Sequence, residues 1–275
     1  METEEAWRKL VAIAQSPEEE IDLDRAALAL AATEYPELDI GQEIAALDSL
    51  AAGAARRLGE QRDPLWCVNT LSEYIFDELG FRGNEDDYYD PRNSYLNQVL
   101  SRRVGIPITL SLVYIETGRR LGVPLVGVGM PGHFMVSHRD VGDLFVDPFH
   151  GGILLTEEEC AERVRQVTLG GVAWDRRHLA PIGNREFITR MVRNLKGAYL
   201  DRQDHARALR MIDWLLAAQP EAAQERRDRG VVRYRLGDYS EALDDLRAYL
   251  ASPSPIGDAE AIRGLVARIE GRSAE

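Results

Sequence analysis

The chain has 275 residues, of which 45% are hydrophobic and 29% charged, with a formal net charge of −13 and two cysteines. At about 150 residues per domain, this length predicts one or two domains with a sizeable core, and two cysteines exclude a disulfide framework. We expect a cytoplasmic protein that binds neither nucleic acid nor membrane. The acidic surface repels phosphate backbones, no apolar stretch approaches the ~18 residues of a membrane span, and the N-terminus lacks a leader's basic character.

The first sixty residues are predicted to form an acidic helical region, with 14 Asp and Glu against 5 Lys and Arg. Alanine and leucine, which are strong helix formers, dominate from Ile21 to Thr33. Apolar residues recur near a helical period from Ile40 to Leu58. Asp63-Pro64 predicts the start of a further helix that ends near Leu79.

Beyond a polar loop at 82–92, the pattern changes from helices to strands. Helices are predicted for Tyr95–Arg103 and for the apolar segment Pro107–Leu121. Strands are predicted for Val123–Met130, His133–His138 and Asp143–Asp147, and the last two form a hairpin. Helices followed by a run of strands favour an α+β fold with a small antiparallel sheet over an alternating parallel one.

From about residue 185 the chain is predicted to be helical again, with an internal repeat. Asp204 and Ala208-Leu209 align with Asp238 and Ala242-Leu243 at an offset of 34. That offset is the tetratricopeptide period, so two helix pairs and a last helix, Asp258–Ile269, are expected. The predicted domains are residues 1–180 and an all-α domain at 185–275.

Three segments of the middle region carry a family resemblance: NSYLNQVLSRRVGIPITLSLVYIETGRRLGVPL, MPGHFMV and LFVDPF. They resemble the transglutaminase-like family, in its bacterial SirB1-type branch, whose members also carry tetratricopeptide repeats. The resemblance covers residues 40–155 and, for the repeats, 185–270. It implies a papain-like core in which a cysteine at a helix start is the nucleophile, a strand histidine is the base, and an aspartate orients that histidine.

By this resemblance His133 matches the base and Asp147 the orienting acid, whereas the cysteine position falls near Pro107. The sequence therefore implies an incomplete triad. Cys67 and Cys160 are expected to be buried small side chains rather than nucleophiles. Four polar residues near the start of the Pro107 helix are candidates for binding: Asn93, Asn97, Thr109 and Ser111.

Other polar groups have simpler interpretations. His133, His138, Asp147 and His150 could be imagined as metal ligands, but the odd spacing of His133 and His138 on a strand would turn them to opposite faces, so no metal is predicted. No cofactor is predicted either. The spacing of Glu116 with Arg119 and Arg120 predicts an ion pair on a helix surface.

Three functional classes follow from these features. The first, which we favour, is a module that has lost the catalytic cysteine and binds a peptide or protein with its cleft and repeats. The second is an amide-bond hydrolase or acyl transferase that uses His133 and Asp147 with an unidentified nucleophile. The third is an adaptor in which only the repeats act. The sequence names no partner and no oligomeric state.

Overall fold

A computed structural model describes residues 3–252 and 258–272 and divides the chain into two compact units, Met1–Met191 and Val192–Glu275. Residues 1–2, 253–257 and 273–275 of the two predicted domains lie outside the described residues. Within the described part of the chain, no helix combines the length and apolar character needed to cross a membrane.

The first unit begins with four helices. Their bounds are α1 (Thr3–Gln15), α2 (Leu23–Ala32), α3 (Ile40–Leu58) and α4 (Pro64–Ser72). Asp39 and Asp63 cap α3 and α4, and each side chain accepts a hydrogen bond from the backbone N–H of the third residue of its helix, Gln42 or Trp66. The helix α4 continues as a π-helical segment, Glu73–Glu78, so the predicted helix of 64–79 is present but widened over its second half.

A short parallel pair and two helices follow. Strand β1 (Arg82–Gly83) pairs with β2 (Val104–Gly105), on either side of helix α5 (Leu96–Arg102). Helix α6 (Pro107–Arg120) begins directly after β2, and its residues 107–118 are all buried. A helix that is buried all round lies inside the core, which explains its mostly apolar composition.

A four-stranded antiparallel sheet completes the core. The strands β3 (Leu125–Val128), β4 (Met135–His138), β5 (Val141–Asp147) and β6 (Ile153–Leu155) neighbour each other in chain order. The strand β6 was not foreseen from the sequence. The predicted strand 133–138 starts two residues late, because Gly132 takes a left-handed φ of 71° and the His133 N–H closes a turn onto Met130.

Helix α7 (Glu157–Val167) packs on this sheet. Cys160 and Val164 of α7 share a buried apolar cluster with Val128, Met135 and Phe145 of the sheet. A capping box at the helix start, in which Thr156 and Glu159 exchange hydrogen bonds with each other's backbone, sets where α7 begins. The packing orients α7 above the end of β5.

The last five helices are α8 (Asn184–Asp201), α9 (His205–Ala218), α10 (Ala223–Leu236), α11 (Tyr239–Leu250) and α12 (Ala259–Arg272). The turns α8–α9 and α10–α11 contain a left-handed residue 34 positions apart, Gln203 and Gly237. A Cβ added at Gly230 of α10 would lie 2.7 Å from Leu246 and 3.2 Å from the Ala242 carbonyl oxygen. Helices α10 and α11 therefore approach closely at Ala242, as the repeat pattern predicts.

Candidate functional site

His133 and Asp147 are hydrogen-bonded, with 2.9 Å between His133 Nε2 and Asp147 Oδ2. The antiparallel pairing of β4 and β5 sets this contact, since Val136 lies opposite Val146 and Asp147 ends β5. Both side chains are buried, and Asp147 is fully inaccessible to solvent. His133 Nδ1 has no hydrogen-bond partner among the described residues, so it is the ring nitrogen left to accept a proton.

Asp147 is the hub of the site. Its Oδ1 accepts the backbone N–H groups of Phe149 and His150, and its Oδ2 accepts ring nitrogens of both His133 and His150. Burial alone would raise the pKa of this carboxyl, but the hydrogen bonds from the two histidines outweigh burial and hold the pKa well below its usual range. The carboxylate is therefore ionised at neutral pH.

Two further residues join the pair, and the sequence did not assign them this role. His150 Nδ1 lies 2.8 Å from Asp147 Oδ2, and Arg163 of α7 lies 3.3 Å from His150 Nε2 and 3.6 Å from Asp147 Oδ2. Arg163 donates to His150 Nε2, so His150 must carry its proton on Nδ1 and donate it to Asp147. The Thr156-x-x-Glu159 capping box was the sequence signal that could have placed α7, and with it Arg163.

The same cluster is the one group of described His, Cys, Asp and Glu side chains whose arrangement could hold a metal ion. The candidate ligand atoms of His133, Asp147 and His150 lie within 4.8 Å of one another. The guanidinium of Arg163 stands beside two of them, and a cation there opposes a second one. The residues present fit a hydrogen-bonded network better than a metal site. His138 is elsewhere, accepting the backbone N–H of Asp140.

A series of contacts links this cluster to the start of α6. The rings of His133 and Phe149 are 6.5 Å apart, and a Cβ on Gly83 would lie within 2.6 Å of the Phe149 ring. Gly83 pairs with Gly105, two residues before Pro107, which is the first residue of α6. Proline suits that helical position but offers no nucleophile.

The two predicted hydroxyl residues of α6 are fully buried. Thr109 Oγ1 lies 2.7 Å from the Asn93 carbonyl oxygen, to which it donates, and accepts the Ile106 N–H at 3.1 Å. Thr109 thus secures the helix start. Ser111 Oγ has no hydrogen-bond partner among the described residues. A buried polar atom without a partner is uncommon in folded proteins. A binding role for Ser111 stays a prediction.

The two predicted asparagines also differ in whether their side-chain oxygen has a hydrogen-bond partner. Asn93 is fully buried; its amide accepts from Asn84 and donates to the carbonyl oxygens of Asp87 and Tyr88. It therefore shapes the loop 84–90. Asn97 is also buried, and its Oδ1 has no hydrogen-bond partner within the described part of the chain. Direct contact of either asparagine with a ligand stays a prediction.

The loop held by Asn93 carries exposed aromatic rings toward the cluster. Tyr89 and Tyr88 are 50% and 39% exposed, with their ring centres 5.4 Å apart. The ring centre of Tyr88 lies 6.1 Å from that of Phe149, and the ring centre of Phe149 lies 6.5 Å from that of His133. We call these four residues the aromatic row. It connects the surface with the buried histidine.

Both cysteines are buried and free. Burial raises the pKa of the Cys67 thiol. Burial, with the negative charge of Asp147 adding to it, raises the pKa of Cys160 to about 12. Cys160 Sγ lies 3.9 Å from Met135 Sδ, inside the apolar cluster. A raised pKa disfavours the thiolate that nucleophilic attack needs, and it does so at both cysteines.

Comparison with known proteins agrees with this architecture. The transglutaminase-like superfamily profile matches residues 42–193, and a tetratricopeptide-repeat profile matches 195–267. No solved structure matches significantly.

Two bacterial relatives, each named as a UPF0162 protein, match most of the chain. The one from Xylella fastidiosa strain Temecula1 is 40% identical over 267 residues, which are 94% of this chain and 92% of the relative. The one from Vibrio cholerae is 30% identical over 237 residues, 84% and 86% of the two chains. F-box only protein 21 of Pongo abelii is 31% identical over 204 residues, 68% of this chain but 31% of its own length. The chain belongs to the transglutaminase-like superfamily, with C-terminal tetratricopeptide repeats as in a protein-interaction module.

Proposed function

We propose that this protein is a transglutaminase-like module without cysteine catalysis, of the SirB1-type branch, which binds a peptide or protein segment beside His133 in the cytoplasm. The observation that carries the proposal is the combination of an intact His133–Asp147 pair with Pro107 at the helix start. The pair supports a site of this family's type, and proline stands near the position where the resemblance places the nucleophilic cysteine.

No other side chain near the start of α6 supplies that group readily. The Thr109 hydroxyl is taken up by the helix cap and is inaccessible, and Ser111 is equally buried. A nucleophile must lie within about 3 Å of the base and be reachable by the substrate. Cys67 and Cys160 are buried with raised pKa values, so thiolate attack is disfavoured at both.

The aromatic row supports a binding role. Exposed tyrosines provide large, rigid contact area at a small cost in conformational entropy, and they are enriched at protein interfaces. The buried side chains of Asn84, Asn93 and Asp90 form hydrogen bonds that hold the loop carrying these tyrosines in place. A surface that is already ordered loses less entropy on binding.

The test uses the full chain, immobilised and screened against a phage-displayed library of random peptides. We expect selected peptides whose binding falls at least about tenfold in Tyr89→Ser, because interface tyrosines are frequent energetic hot spots. Trp66→Ser is the matched control, since Trp66 is 48% exposed but lies outside the aromatic row. Peptides that bind all three proteins equally would contradict the proposed location.

A second candidate function, an amide-bond hydrolase or acyl transferase acting through water or a hydroxyl, is favoured by the free Nδ1 of His133 opposite an ionised Asp147. Asp147 would hold the ring so that Nδ1 removes the proton from the attacking group. The assay measures amine incorporation into a glutamine peptide and its hydrolysis, before and after iodoacetamide treatment. Turnover that survives alkylation but is lost in His133→Ala would establish this function; no turnover with either protein supports the binding module.

A further inference from the structure

A cavity of about 370 Å³ in the first unit shares no lining residue with the cluster around Asp147. Its volume is at the lower end of the ~300–1,000 Å³ range of small-ligand pockets. It lies where the start of α2, the end of α6 and the β4–β5 turn meet. Its apolar wall is made by Ile21, Leu23, Ile115, Val123, Pro124 and Leu125.

One wall of this cavity carries a buried ion cluster. The side chains of Asp24 and Glu116 are 4% and 2% exposed, and both contact Arg119 and Arg120 at 2.6–3.1 Å. The sequence predicted a surface ion pair here; that prediction was wrong about burial, because Glu116 faces the core. The Arg119 side chain is 58% exposed, and its guanidinium forms ion pairs with both carboxylates. Its guanidinium is thus fixed at the cavity wall.

Arg139, in the β4–β5 turn, is the second guanidinium of the lining. Its backbone N–H donates to the Pro124 carbonyl oxygen, but its side chain has no ion pair or hydrogen bond among the described residues. Asp22, at the rim, is exposed and lies 3.8 Å from Arg25. The positive charge of Arg139 is therefore the one in this lining that no described carboxylate contacts.

We propose that this cavity binds a small apolar monocarboxylate, with the carboxylate on Arg139 and Arg119 and the apolar body against Val123, Leu125 and Ile115. Guanidinium groups bind carboxylates through paired, charge-assisted hydrogen bonds. One uncompensated cation matches one negative charge better than the two of a phosphate. A free amino acid and the C-terminal residue of a peptide share this chemistry.

The test titrates the ¹⁵N-labelled full chain with N-acetyl-leucine, leucine, leucinamide and inorganic phosphate. We expect N-acetyl-leucine to shift the amide signals of Val123, Leu125 and Arg139, whereas leucinamide and phosphate leave them in place. Binding of leucine as well would identify a free amino acid as an acceptable ligand, and binding of N-acetyl-leucine alone would identify a blocked residue.

The variant Arg139→Gln should weaken N-acetyl-leucine binding by about tenfold or more, the usual effect of losing a hydrogen bond to a charged group. Arg56→Gln is the matched control, an exposed arginine on α3 outside this lining. The proposal is overturned by equal binding of leucinamide, by an unchanged affinity in Arg139→Gln, by shifts confined to other residues, or by no binding of N-acetyl-leucine, N-acetyl-phenylalanine and hexanoate up to about 10 mM.

Discussion

Replacing Asp147 by asparagine removes one negative charge from the centre of the site and leaves the side-chain shape nearly unchanged. The asparagine oxygen can still accept the backbone N–H groups of Phe149 and His150. Its amide nitrogen, however, faces the two histidine rings in place of an acceptor. His133 can move its proton to Nδ1, but His150 cannot adapt easily, because Arg163 already donates to its Nε2.

The expected loss follows from these contacts. Two hydrogen bonds to a charged acceptor, worth about 1.5–3 kcal/mol each, become one neutral hydrogen bond and one clash of donors. Part of the loss is offset because the buried charge no longer has to be desolvated. We therefore expect the free energy of unfolding at pH 7 to fall by about 2–4 kcal/mol, measured by urea denaturation followed by far-ultraviolet circular dichroism.

The pH dependence gives a sharper check. The pKa of Asp147 is lower in the folded than in the unfolded chain, so its contribution to stability is fully present above the unfolded value of 3.8 and is lost as the pH falls through the folded pKa. Linkage predicts that the difference between wild type and Asp147→Asn shrinks by about 1 kcal/mol from pH 5 to pH 3.

The control variant is Asp143→Asn, on the same strand, whose side chain is 81% exposed. It should stay within about 0.5 kcal/mol of wild type at both pH values, as exposed ion pairs contribute little. An Asp147→Asn variant as stable as wild type at pH 7, or a difference that does not change with pH, would refute the reasoning.

Three further predictions concern other parts of the chain. Cys67 and Cys160 should react with iodoacetamide at pH 8 more than about tenfold more slowly in the native protein than in guanidinium, because both are buried with raised pKa values; equal rates, by mass spectrometry, would contradict this burial. Gly83→Ala should lower the free energy of unfolding by about 1–3 kcal/mol, since its Cβ would lie 2.6 Å from the Phe149 ring, whereas Gly142→Ala, with nothing within 4 Å, should not. Ala242→Trp should cost a similar ~1–3 kcal/mol by overpacking the α10–α11 contact, against the exposed control Ser240→Trp, and equal stability of the two variants would argue against close packing there.

Much of the fold could be predicted because its signals are local. The helix α3 runs from Ile40 to Leu58, as the apolar period indicates, with Gly59 at its end. The hairpin of β4 and β5 follows from two short predicted strands, 133–138 and 143–147, on either side of the turn 139–142. The π-helical widening at Glu73–Glu78 and the strand β6 were missed, because packing against distant segments, such as Phe76 against Gly152, decides them.

The candidate site divides in the same way. His133 and Asp147 could be paired in advance, because the family motifs and an antiparallel hairpin bring residues 14 apart together. The contact of Arg163 with Asp147 could not be predicted from the sequence. Arg163 lies on a helix whose position depends on how Cys160 and Val164 pack against the sheet. Glu116 was misread as a surface group for a similar reason: spacing along a helix shows which residues are neighbours, but not which face is covered.

The α+β class, the 34-residue repeat and the lack of a cysteine near Pro107 could be predicted from the sequence, because each depends on residue identity and short-range periodicity. The His133–Asp147 pair could be predicted from the family motifs. The burial of the polar groups and the hydrogen-bond partners of the two histidines became clear from the three-dimensional structure alone. The same holds for the position of Tyr88 next to Phe149 and for the cavity that Arg119 and Arg139 line. These features arise where segments far apart in the chain meet, and the free energy of such contacts comes from packing and desolvation, which local sequence patterns do not specify.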